Sequence, residues 1–119
     1  MWKCHVLNCG GGDSANIPVI LFDVAPRADI SVDPVKLRRW FHWNRWLAQF
    51  ASDRGYGLVK ASDLLIDPSG LYRLDPRYIT GSYTGDYTYT GDATHPVNNG
   101  GMLVLANALL SELYNAQQK

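Results

Sequence analysis

The sequence predicts an α/β fold with a short, largely parallel sheet flanked by helices. Three observations lead to this class. Residues 17–25 form an almost continuous apolar run rich in β-branched residues, residues 33–55 show helical periodicity, and strand-like and helix-like segments follow in the α/β order. With 119 residues the chain can bury one core, so we expect a single domain over residues 1–119.

Three strands are predicted. The first spans residues 2–9, and the second lies in residues 17–25, where the unbroken apolar pattern is typical of a strand covered on both faces. The third spans residues 58–61, and a turn at residues 67–70 leads from it into a long connection over residues 71–97. A connection of this length in a small domain is more often functional than idle.

Two long helices are predicted. Asp33 and Pro34 are an N-cap residue and a proline at the first helical position, and Gly55 follows the last helical residue. The closing helix is expected to begin at Asn98 or Asn99. One of its faces is apolar and comprises Met102, Leu105, Ala106, Leu109 and Leu113.

The first long helix has more apolar surface than one packing contact needs. At 100° per residue its large apolar side chains spread over about 220° of the circumference. We expect the sheet and the long connection to cover part of this arc, and a homo-oligomer to cover the side of Trp40, Trp43, Trp46 and Phe50. The basic residues interleaved here would also suit nucleic acid or a membrane surface, but nearby acids compensate them and no basic stripe continues.

The charge and the cysteine content of the chain limit which partners and which cellular compartment are expected. The chain has 11 Lys and Arg against 11 Asp and Glu, which disfavours binding to nucleic acid. Cys4 and Cys9 lie in one predicted strand, about 16 Å apart, too far for a disulfide. We therefore expect free thiols, a reducing compartment and a cytoplasmic location. No run of about 18 apolar residues predicts a membrane span.

No cofactor is predicted. Cys4, His5, Cys9 and His95 lack the Cys-x-x-Cys or His-x-x-x-His spacing of a zinc site, so no metal is expected. The glycines between Gly10 and Ser14 lack the lysine of a phosphate-binding loop and the later glycine of a dinucleotide fingerprint.

The strongest chemical signal is an Asp-x-x-His-Pro sequence. Asp92 and His95 stand at the end of the long connection, directly before the closing helix. At such a bend the carboxylate can hold one ring nitrogen and leave the other free to accept a proton. This is the orienting and basic half of a hydrolase triad.

Residues 92–101, together with the apolar helix behind them, resemble the terminal block of SGNH hydrolases, the GDSL esterase family. The resemblance extends over residues 17–118 and matches mainly the C-terminal half of the family. It implies a shortened, flavodoxin-like three-layer α/β arrangement and the hydrolysis of a small-molecule ester. Family members take a serine nucleophile from a Gly-Asp-Ser motif, which occurs here as Gly12-Asp13-Ser14.

By this resemblance Ser14 attacks the acyl carbon, His95 is the base and Asp92 orients it, while Gly12 and Asn16 contribute to the oxyanion and substrate site. One departure is large: only Ala15 and Asn16 separate Ser14 from the next strand, too few for a parallel crossover.

A second alignment therefore stays open. It matches residues 8–13 to the family's Gly-x-Asn-Asp block, so that Ser14 is incidental and the nucleophile comes from another chain or is absent. The alternative function is accordingly an inactive or incomplete module, which binds a carbohydrate or protein partner or needs a second chain.

Overall fold

The computed structural model describes residues 17–96 and 100–118, and it is a mixed α/β structure with a small parallel sheet and helices. The elements in chain order are β1 (Ile20–Phe22), α1 (Ala28–Ser31), α2 (Pro34–Arg54), β2 (Gly57–Val59), α3 (Ala61–Leu64), a 3-10 turn (Pro76–Tyr78), β3 (Ser82–Tyr83), β4 (Tyr89–Thr90) and α4 (Gly101–Gln117). The strand predicted over residues 2–9 lies outside the described residues.

β1 and β2 form a parallel pair that α2 connects. Leu21 is opposite Leu58, and bonds from Gly57 N to Val19 O (2.9 Å) and from Asp23 N to Val59 O (3.1 Å) extend the ladder. The expectation of a strand covered on both faces is wrong: the β1 side chains are only half-buried or, at its end, exposed. Within the described residues β1 pairs with one strand, β2.

The predicted bounds of α2 are confirmed. Asp33 caps the helix by accepting hydrogen bonds from Val35 N (2.9 Å) and Lys36 N (3.4 Å), and Pro34 occupies the first turn. The helix ends at Gly55, whose φ of 71° is a left-handed conformation that favours glycine. These local signals therefore suffice to set both ends.

Trp40 and Asn44 attach α2 to the segment after β1. The Trp40 Nε1–H donates to Val24 O (2.9 Å) and Ala25 O (3.2 Å). The Asn44 side chain bonds both backbone groups of Val24, accepting from N (2.9 Å) and donating to O (3.0 Å). Trp40 is thus buried. The expectation that Trp40 belongs to the side of α2 left open for a homo-oligomer is therefore wrong.

The long connection is more regular than predicted. It contains the 3-10 turn and the β3–β4 hairpin, and it closes over a core of Ala61, Leu65, Leu74, Ile79 and Ala93. Arg73 forms an ion pair with Asp67 (2.6 Å) and lies over the Tyr83 ring at 3.9 Å. These contacts connect the hairpin to the turn after α3.

Two segment ends differ from the sequence prediction. The predicted third strand stops at Val59, because Ala61 already begins α3. The described part of the closing helix begins at Gly101, after Gly100 with a φ of 98°. In residues 17–96 and 100–118, none of the helices combines the length and apolarity that crossing a bilayer requires.

Candidate active site

Asp92 and His95 are in direct contact. The His95 Nδ1 atom lies 2.9 Å from Asp92 Oδ2 and 3.2 Å from Asp92 Oδ1. The pair follows β4 and Gly91, whose φ of 71° turns the chain out of the hairpin. The spacing in the sequence thus corresponds to a carboxylate that holds an imidazole ring.

The carboxylate of Asp92 also organises its own turn. Its Oδ1 accepts hydrogen bonds from Thr94 N (2.9 Å), the Thr94 hydroxyl (3.1 Å) and His95 N (3.2 Å). These hydrogen bonds lower the pKa of Asp92 to about 2. The bond from Thr94 N contributes most, and the bonds from His95 and from the Thr94 hydroxyl add to it. Asp92 is therefore ionised at neutral pH and favours the tautomer with hydrogen on Nδ1.

The second ring nitrogen of His95 is accessible. The side chain is 69% exposed, and Nε2 has no hydrogen-bond partner among the described residues. In the neutral ring with hydrogen on Nδ1, Nε2 carries the free lone pair. The arrangement therefore presents a base to whatever approaches from outside the turn.

Two contacts fix the position of this turn. Ala93, which lies between Asp92 and His95 in the sequence, is fully buried in the core cluster. The backbone N–H of Gly81 donates to Asp92 O (2.8 Å). The sequence offered no signal for Gly81 as a supporting residue, because its contact with Asp92 is made only by the hairpin.

Arg27 is a further charged residue near the site that the sequence did not single out. Its guanidinium donates from Nε (3.0 Å) and Nη2 (2.7 Å) to the carboxylate of Asp29. Hydrogen bonding to Asp29 raises the pKa of Arg27, and the more distant charge of Asp92 adds to the effect. Arg27 is thus paired with Asp29, and the ring of His95 is the basic group that contacts Asp92.

A second polar pair lies at the carboxyl ends of β1 and β2. Asp23 accepts hydrogen bonds from Ser62 N (2.8 Å) and from the Ser62 hydroxyl, and both side chains are buried. Because this hydroxyl already donates to a carboxylate, Ser62 is poorly suited to be the nucleophile for His95. The pair instead joins the start of α3 to the end of β1.

The predicted nucleophile and oxyanion residues, Ser14, Gly12 and Asn16, lie outside the described residues, as does the alternative block over residues 8–13. Of the predicted site, the structure brings together Asp92 and His95. The part of the chain that the structure describes contains no group of three or more His, Cys, Asp or Glu side chains able to hold a metal ion.

Comparison with protein-family models, with curated proteins and with solved structures finds no match to this chain. The candidate site therefore rests on its residues and on their geometry.

Proposed function

We propose that the protein hydrolyses small carboxylic esters, with His95 as the general base, Asp92 as the residue that orients it and Ser14 as the nucleophile. The observation that carries the proposal is the 2.9 Å contact between Asp92 Oδ2 and His95 Nδ1, on a histidine whose other nitrogen is exposed. The choice of Ser14 rests on the resemblance to the SGNH family, whose Gly-Asp-Ser motif matches Gly12-Asp13-Ser14.

In the proposed reaction His95 Nε2 takes the proton of the Ser14 hydroxyl as Oγ bonds to the acyl carbon. The tetrahedral intermediate collapses, the ester C–O bond breaks, and His95 returns the proton to the departing alcohol. Water then attacks the acyl-enzyme with the same base, and the acid leaves as Ser14 is regenerated. Gly12 and Asn16 would donate to the oxyanion.

Asp92 supports the step in which His95 becomes charged. As a carboxylate with a pKa of about 2, it keeps hydrogen on Nδ1 and stabilises the imidazolium when Nε2 accepts a proton. The bonds from Thr94 and from the His95 backbone hold the carboxylate in place before substrate binds. This preorganisation is what the local turn contributes to the proposed chemistry.

Hydrolysis of p-nitrophenyl acetate tests the proposal with Ser14→Ala, His95→Ala and the double variant. We expect each single variant to lose at least about 10³-fold in kcat and the double variant to be little worse, because triad members act as a unit. His42→Ala and Ser52→Ala, which change exposed residues on α2, are matched controls. Full activity in Ser14→Ala would reject Ser14 as the nucleophile.

A second measurement separates the alternatives. A fluorophosphonate should label Ser14 in the wild-type protein and not in His95→Ala. Activity that returns only when Ser14→Ala and His95→Ala chains are mixed would show a site shared between two chains. Absence of both hydrolysis and labelling would favour the inactive binding module.

The tyrosine-rich connection gives that binding module little support. The Tyr83 hydroxyl donates to Leu74 O (2.7 Å), and the Tyr87 hydroxyl accepts from Tyr72 N (3.2 Å). Burial raises the pKa of Tyr83 to about 12. Two of the phenols that would contact a carbohydrate or protein partner therefore hold the connection together.

A further inference from the structure

One flank of α2 combines exposed aromatic rings with unpaired basic side chains. We call it the α2 stripe, and it comprises Lys36, Arg38, Arg39, Trp43, Trp46 and the half-buried Phe50. Trp43 and Trp46 are 50% and 49% exposed. Their rings stack with centroids 5.4 Å apart, and Trp46 stacks on Phe50 at 5.1 Å. The stripe is thus an ordered aromatic surface at the outside of the described structure.

Two shallow cavities open on this stripe and meet at Arg39 and Trp43. The smaller, of about 250 Å³, also includes Lys36 and Trp40, and the larger, of about 530 Å³, includes Arg38 and His42. None of the side chains that line them is acidic. Both cavities therefore combine apolar walls with positive charge.

The acids that the sequence places near these basic residues are engaged elsewhere. Asp29 accepts two hydrogen bonds from Arg27, and Asp33 accepts the backbone N–H groups at the start of α2. Asp53, at the far end of the helix, accepts from Gln49 (2.8 Å). The sequence analysis expected neighbouring acids to compensate these basic residues, but none of the three acids forms an ion pair with Lys36, Arg38 or Arg39.

The basic side chains themselves are open. Among the described residues, Lys36, Arg38 and Arg39 form no ion pair. From Pro34 to Ser52 the helix contains no acid and carries Arg45 as a fourth basic residue. The middle of α2 therefore has a net positive charge beside a row of indole rings.

We propose that the α2 stripe docks the protein on an anionic lipid surface. Its arginines and lysine would meet the headgroups, while the indole rings, which have an apolar body and a polar N–H, would enter the boundary with the acyl chains. The rings are stacked face against face, which leaves few ring faces for bases or sugars, so nucleic acid and carbohydrate fit less well. This proposal is independent of ester hydrolysis.

Co-sedimentation with vesicles tests the proposal. We expect binding to vesicles of equal parts phosphatidylcholine and phosphatidylserine, weak binding to pure phosphatidylcholine, and loss of binding as salt is raised. Arg38→Gln with Arg39→Gln should lower the partition coefficient about 30-fold, or roughly fivefold for each charge. Lys60→Gln, which removes an exposed charge outside the stripe, should change it least.

The aromatic contribution has its own readout. Binding should shift tryptophan fluorescence to shorter wavelength in the wild type, and Trp43→Ser with Trp46→Ser should remove the shift and weaken binding. Tyr114→Ser, which removes an exposed ring on α4, is the matched control. Co-sedimentation and fluorescence are repeated with the single variants Trp46→Ser and Arg39→Gln, which disturb the helix less. Circular dichroism identifies any variant that has lost its helices.

Three outcomes would overturn the proposal. The first is no vesicle binding by the wild type at low salt, or equal binding to neutral and anionic vesicles. The second is vesicle binding that the stripe variants leave unchanged, with single-stranded DNA binding that the arginine variants abolish. The third is a fall in molar mass on light scattering in Trp43→Ser with Trp46→Ser, which would show that a second copy of the chain covers the stripe.

Discussion

The backbone N–H of Gly81 donates a 2.8 Å hydrogen bond to the carbonyl oxygen of Asp92, so the start of the hairpin supports the residue that holds His95. The backbone of Thr90 and Asp92 leaves no space for a side chain at Gly81. A Cβ at this position would lie 2.7 Å from Asp92 N and 2.8 Å from Asp92 O. No side chain fits there unless the backbone that carries the site moves.

Gly81→Ala should therefore damage the site and the fold together. We expect a lower kcat for ester hydrolysis and a loss of about 1–3 kcal/mol in the free energy of unfolding, because the new methyl group displaces backbone atoms. Initial rates and urea denaturation measure the two effects on one preparation. Thr80→Ala, at the exposed neighbouring position, is the control. Wild-type rate and stability in Gly81→Ala would contradict this view of the packing.

Asp92→Asn should reduce kcat far more than it changes KM. The amide would favour the tautomer with hydrogen on Nε2 and would not stabilise the imidazolium, an effect that reaches about 10⁴-fold in a serine protease. Steady-state kinetics with an aryl ester measure both constants. Thr94→Val, which removes the hydroxyl donor to Asp92, should have a much smaller effect. Equal losses in the two variants would point to a turn with a purely structural role.

The pH profile should show one ionisation on its acid side. Asp92, with a pKa of about 2, stays ionised between about pH 4 and 7, so only protonation of the base lowers the rate there. The slope of log kcat/KM against pH should be one, and a slope of two would contradict the assignment. Because the folded pKa of Asp92 is depressed, its contribution to stability is full above its unfolded pKa of about 3.9 and is lost as the pH falls towards 2.

Arg73→Ala should destabilise the fold far more than the removal of an exposed, unpaired arginine. Asp67 would remain buried without its ion-pair partner, which typically costs about 3–5 kcal/mol, and the ring of Tyr83 would lose its cation. Urea denaturation measures the change. Arg45→Ala, at an exposed position outside any ion pair of the described residues, should stay within about 0.5 kcal/mol of wild type. Similar values for both variants would contradict the role given to Arg73.

Self-association remains a prediction, and the structure suggests a surface for it other than the α2 stripe. On α4, Leu103, Leu110 and Tyr114 are each more than 60% exposed and lie along one side of a helix with a single carboxylate, Glu112. We expect light scattering to give a mass above the 13.3 kDa of the monomer, and Leu110→Glu to lower it. A monodisperse monomer in the wild type would contradict the expectation.

The sequence was informative where one local signal decides the structure. The cap at Asp33 and the glycine at Gly55 predict both ends of α2, and the spacing of Asp92 and His95 predicts their contact. Each of these interactions joins residues that are close in the chain. Short segments of sequence therefore predict these contacts, whereas the position of the turn that carries His95 also depends on Gly81 and on the core around Ala93.

The features that the sequence did not reveal depend on distant pairing. β3 and β4 have two residues each, too few for a periodic pattern, and the Asp23–Ser62 pair joins residues on different elements. The Asp23–Ser62 contact in particular is tertiary, and no short window of the sequence contains it.

The β3–β4 hairpin is held at both ends. At its base Gly81 bonds to Asp92, and at its tip the Arg73 guanidinium donates to the carbonyl oxygens of Gly85 (2.9 Å) and Asp86 (2.8 Å). A segment fastened in this way does not open as an independent loop, because releasing the tip also breaks contacts that reach the core. Amide hydrogens of the hairpin should accordingly exchange with solvent in the same cooperative unit as the core around Leu74, and the turn that carries His95 belongs to that unit.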